Sequence, residues 1–98
     1  MSAMSDSSVL LVLTNVPDRD TADKIARGLI EDRLAACVNI LAACTSVYRW
    51  QGAVDNAEEI PLLIKTTGAR YTALEAAIRR LHPYELDRKS TRLNSSHT

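Results

Sequence analysis

The three glycines of this 98-residue chain stand far apart, at positions 28, 52 and 68, so no glycine-rich loop exists to cradle a phosphate. Lysine and arginine are absent before Arg19, and a secretory signal needs a charged segment ahead of its apolar run. The first such run, Val9-Leu-Leu-Val-Leu13, is far too short to span a bilayer, so no membrane partner is expected. Cysteine is scarce. Cys37 and Cys44 form no CxxC pair, and without an export signal both are expected to be reduced thiols in the cytoplasm. A basic excess is missing as well, because the formal net charge is zero. Setting aside Asp87, Arg88, Lys89 and Arg92 leaves residues 1–86 with nine basic and eleven acidic side chains, which gives no footprint for nucleic acid. No Ser-His-Asp set can be assembled, and a cysteine nucleophile would have only His82 as a base, so an enzyme is not expected.

What is present reads as one small domain over residues 9–86, after a serine-rich tail at 1–8. A chain near this length buries only about 60 to 65% of its unfolded surface, so partners are expected to cover more. The last stretch, DRKSTRLNSSHT at 87–98, has Leu93 as its single apolar residue and offers no face for a helix or strand. It can also be reverse-translated, codon for codon from Asp87 to His97, into a common sequencing-library adapter. It is therefore expected to be an artefactual, disordered tail in place of the natural C-terminus, and is left out of the fold reading.

The continuous run at Val9–Leu13 predicts a central strand covered on both faces, ending near Val16-Pro17. Asp18 or Asp20 caps a first helix in which Ala22, Ile25, Ala26, Leu29, Ile30 and Leu34 make a single apolar stripe. Gly28 lies inside that helix, where close packing against the sheet would compensate its lost helix propensity. Cys37–Leu41 and Thr45–Gln51 read as two strand segments of one arm, with a bend at Ala42-Ala43. Ser46, Tyr48 and Trp50 share one face of the second segment, and Val47, Arg49 and Gln51 share the other. A turn at Gly52–Asn56 leads back into a strand over Glu58–Thr66. Pro61 within that strand must sit at a bulge or on the outer side of a paired edge. Tyr71, Leu74, Ile78 and Leu81 mark a second helix, closed by His82-Pro83. The order β-α-β-β-α is an α/β (α+β) ferredoxin-like unit whose last strand and C-terminal helix are missing.

Four segments in order carry a resemblance: Ala36-Cys-Val-Asn-Ile40, Ser46-Val-Tyr-Arg-Trp-Gln-Gly52, Leu62-Leu-Ile-Lys-Thr66 and His82-Pro-Tyr-Glu85. From about Val9 to Leu86 the chain resembles the divalent-cation tolerance (CutA) family. The resemblance implies a homotrimer, and joining edges between subunits would satisfy the exposed backbone and aromatic stripe of a long hairpin. It also implies that copper-binding relatives can place a Cys where this chain has Thr14 and a His where it has Leu81, so only His82 of such a set survives here.

His82 and Glu85 stand three apart, and an imidazole beside a carboxylate can hold a divalent transition ion. Two ligands are too few. Cys37 or Cys44 could add a thiolate, giving a set suited to Cu(II), zinc or another divalent cation. The plainer alternative is that His82 caps the second helix while both cysteines are small buried hydrophobes. Tyr48, Trp50, Lys65 and Tyr84 are the candidate ligand or interface residues. The aromatics of the arm would line an inter-subunit pocket, and Lys65 would offer a charge to an anion. Alternatively the aromatics only pack an interface and Lys65 faces solvent. The expected function is a cytoplasmic divalent-cation tolerance or response protein, a homotrimer binding copper or another divalent metal. The competing expectation is a small-ligand signalling trimer resembling nitrogen-regulatory proteins. A hydrolase like acylphosphatase lacks a convincing Arg and Asn loop.

Overall fold

The structure, a computed structural model, describes residues 8–81 and the backbone of 94–97. Chain order is β1 (Val9–Val16), α1 (Arg19–Glu31), β2 (Cys37–Ile40), β3 (Cys44–Trp50), β4 (Ala53–Thr67), α2 (Gly68–Leu81) and β5 (Asn94–His97). The sheet runs β2-β4-β1-β5 with every pairing antiparallel, and β3 continues beside β4 where β2 stops. This is the expected ferredoxin-like arrangement, with its second strand split in two.

One edge differs from expectation. The sequence offers no strand after α2, yet Asn94–His97 pairs with Leu10–Leu13 of β1. The reason is backbone chemistry: the open edge of β1 presents unpaired N–H and C=O groups, and these accept any extended segment whatever its side chains. The remaining residues of the 87–98 tail lie outside the described residues.

Asp18 is the N-cap of α1, its Oδ1 accepting from the Thr21 N–H at 2.7 Å. Ala22, Ile25, Ala26 and Leu29 bury against the sheet as the stripe requires, but Ile30 remains 44% exposed. Leu34 lies beyond the helix because α1 closes in a Schellman motif. The Leu34 N–H donates to the Leu29 carbonyl at 2.9 Å and the Arg33 N–H to the Ile30 carbonyl at 3.0 Å. That reversal puts Arg33 at φ 59°, in the left-handed region where glycine is favoured. Gly28 does sit at a close approach, but to α2 rather than the sheet: a Cβ there would lie 3.3 Å from Leu81 Cδ1.

The core lies between the helices and one face of the sheet, with Val12, Leu62, Ile64, Leu29, Leu74 and Ile78 among its sealed members. Leu10, Val12, Thr14 and Val16 of β1 point into it, alternating with Val9, Leu11, Leu13 and Asn15 on the far face. The expectation of cover on both faces therefore fails within one chain. Val9 is 41% and Leu13 40% exposed, since no layer among the described residues reaches that side.

The hairpin is longer than the sequence suggests. Its turn is Gln51-Gly52, at φ 51° and 82°, a primed two-residue turn, and β4 begins immediately at Ala53 rather than at Glu58. Asp55 and Asn56 resemble turn residues but pair with Tyr48 and Val47. Pro61 sits where β4 changes partners, between Leu62 opposite Ile40 and Glu59 opposite Cys44. Its carbonyl accepts from the Leu41 N–H at 3.0 Å, so its missing donor faces the Ala42-Ala43 break and costs no ladder bond.

Candidate functional site

Alternation along β3 places Ser46, Tyr48 and Trp50 on its half-buried face and Thr45, Val47 and Arg49 on its exposed one. Trp50 stands opposite Ala53 at the hairpin tip, and Tyr48 opposite Asp55. Lys65 lies twelve residues further along β4, about 40 Å at ~3.3 Å per residue. One chain therefore does not bring the arm aromatics and Lys65 together.

Lys65 is flanked instead by Cys37 on β2 and Leu11 on β1, all three on the sheet face away from the helices. Cys37 is exposed, with Sγ 3.9 Å from Asn39 Oδ1, and Cys44 is partly exposed, with Sγ 4.0 Å from Ser46 Oγ. Neither cysteine is the buried hydrophobe of the plainer alternative, because both strands keep one face open. Thr14 lies on the opposite face, 1% exposed, with a hydroxyl that finds no hydrogen-bond partner among the described residues. A ligand at position 14 would be separated from Cys37 by the sheet itself.

His82, Tyr84 and Glu85 fall outside the described residues. Among the described residues no three metal-ligating side chains come together. The described part of the candidate metal set is the Cys37 thiol alone.

Lys65 also borders a cavity of about 370 Å³ that sequence reasoning missed. Arg33, from the turn after α1, and Arg70, from the first turn of α2, line the same cavity. Thirty-seven positions separate these two arginines in the sequence. No spacing rule joins them, and the one local signal was a basic residue where a helix ends without glycine.

The family profile described as CutA1 divalent ion tolerance protein matches residues 10–91. The chain belongs to the CutA1 divalent ion tolerance family. The divalent-cation tolerance protein CutA of Thermus thermophilus is 49% identical over 74 residues, covering 76% of this chain and 72% of that protein. Human protein CutA is 39% identical over 79 residues, covering 81% of this chain but only 44% of the human sequence. The chain thus spans less than half of that longer relative. Among solved structures, CutA from Xylella fastidiosa superposes at a TM-score of 0.85 with 38% identity, covering 94% of this chain and 85% of that one. The likeness to solved CutA1 structures accords with the ferredoxin-like fold. Among the described residues no helix is long and apolar enough to cross a membrane.

Proposed function

We propose that the chain is a cytoplasmic divalent-cation tolerance protein that works by binding rather than catalysis, and that it does so as a homotrimer. One observation carries the assembly: the sheet face away from the helices presents Leu11, Leu13 and Leu63 beside a hairpin arm whose Val47 and Val54 are 70% and 69% exposed. A sheet with one apolar face bare and an arm projecting from it is incomplete alone. Three copies related by a closed symmetry would cover both. Neither nucleic acid nor membrane is a partner in this reading.

His82 and Glu85 are the proposed metal ligands, with Cys37 as a third donor suited to copper. Calorimetric titration of the assembled protein with Cu(II) tests this. His82→Ala is expected to weaken binding at least tenfold, about 1.4 kcal/mol, with the oligomer intact. Unchanged affinity would remove His82 from the site.

The second reading is a small-ligand signalling trimer. The position of Lys65 on a cavity with two arginines favours it.

A further inference from the structure

We propose that the cavity bounded by Arg33, Lys65 and Arg70 is a binding site for a small organic phosphate. Arg33, Lys65 and Arg70 line one space of about 370 Å³, and none of the three forms an ion pair with a described carboxylate. Like charges that line one space with no described carboxylate paired to them repel, and a bound anion relieves that repulsion. The cavity is near the lower end of the ~300 to 1,000 Å³ range of ligand pockets, which fits a small molecule rather than a macromolecule.

Charge selects the head group. A phosphate monoester carries about −1.5 to −2 at pH 7 and offers three acceptor oxygens, a closer match to three cations than a single carboxylate. Arginine forks suit phosphate, and Lys65 adds a point charge. Arg70 also stands at the positive end of the α2 dipole. The rest of the wall selects the carbon skeleton, because Val9, Ile30, Ala35 and Ala36 supply apolar surface. This explains why Ile30 belongs to the α1 stripe yet stays exposed: it turns toward the cavity.

The walls are pinned in place. The Thr66 hydroxyl donates to the Leu34 carbonyl at 2.6 Å and the Ala36 N–H to the Lys65 carbonyl at 2.8 Å, fastening the turn that carries Arg33 onto the strand that carries Lys65. Arg70 Nη1 lies 3.5 Å from Thr67 Oγ1 on the cavity wall. Preorganised walls reduce the ordering that binding requires. Arg33 holds a left-handed backbone that glycine would adopt without strain, so the chain keeps a cation there against conformational preference. The site lies apart from His82 and Glu85 in sequence, and it stands whether or not copper binds there.

The test is calorimetry of the whole chain in metal-stripped, low-salt buffer with phenyl phosphate, inorganic phosphate and benzoate as probes. Phenyl phosphate is expected to bind saturably, one per chain, and more tightly than either of the others. Arg70→Gln is expected to weaken it by about tenfold or more. Arg33→Gly is expected to do the same while raising the melting temperature, which separates loss of charge from loss of fold. Absence of saturable phenyl phosphate binding, or full affinity in both variants, would overturn the site. Equal affinity for phosphate and phenyl phosphate would overturn the apolar wall and with it the organic ligand. Because metal is stripped throughout, a failed copper titration leaves this result untouched.

Discussion

Gly28 of α1 faces Leu81 of α2 so closely that a methyl group on residue 28 would meet Leu81 Cδ1 at 3.3 Å. Helix propensity favours Gly28→Ala by about 1 kcal/mol, and the opposing contact is with the end of a flexible, partly exposed side chain. A net stabilisation below about 1 kcal/mol is expected in urea unfolding. Gly28→Leu should instead destabilise by about 1 to 3 kcal/mol, because several added carbons cannot fit between the helices. Equal midpoints for the two variants would show that the helices do not meet here.

Arg33 at φ 59° predicts a backbone gain from glycine. Arg33→Gly relieves a left-handed residue at the helix C-terminus and should stabilise the fold by about 0.5 to 1 kcal/mol. Arg33→Val, branched at Cβ, should destabilise it. Thermal melts of the two variants must move in opposite directions for the Schellman closure to hold.

Thr14 carries a hydroxyl 1% exposed and without a partner among the described residues. An unsatisfied buried polar group costs about 1 to 3 kcal/mol, and valine has nearly the same shape. Thr14→Val should therefore raise stability by about 1 kcal/mol. A drop would indicate that the hydroxyl is satisfied in the assembled protein.

The bare sheet face makes a prediction about assembly. Leu13→Asp places a charge beside Leu11 and Leu63, and should shift the oligomer to monomers by sedimentation while helical circular dichroism is retained. Trp50 reports on the arm. Its emission should be blue-shifted in the oligomer and move to the red in the Leu13→Asp variant, and a solvent-like maximum in the intact oligomer would place Trp50 outside the interface.

Local pattern was enough for much of the fold. The Ala22-Ile25-Ala26-Leu29 stripe and the Asp18 cap are short-range facts, set by 3.6-residue periodicity and by a side chain reaching an N–H three residues on. The face assignment of Tyr48 and Trp50 followed likewise from the two-residue period of a strand. The strand start at Ala53 was hidden, because the turn uses Gln51 at positive φ while Asp55 and Asn56 carry the usual turn chemistry into an exposed ladder. Which face of β1 stays open was also beyond the sequence: Val9–Leu13 is apolar throughout, so the run cannot say whether helices or a second subunit cover each side.

The sequence by itself determined the family and the element order from β1 to α2, because these reside in contiguous motifs and local periodicities. Only the tertiary structure decided that Cys37 and Lys65 share the sheet face opposite Thr14, and that Arg33, Lys65 and Arg70 line one cavity. The reason is physical. A helix end, a strand end and the next helix start are joined through backbone hydrogen bonds that any sequence can make, so their meeting leaves no trace in the spacing of the side chains it brings together.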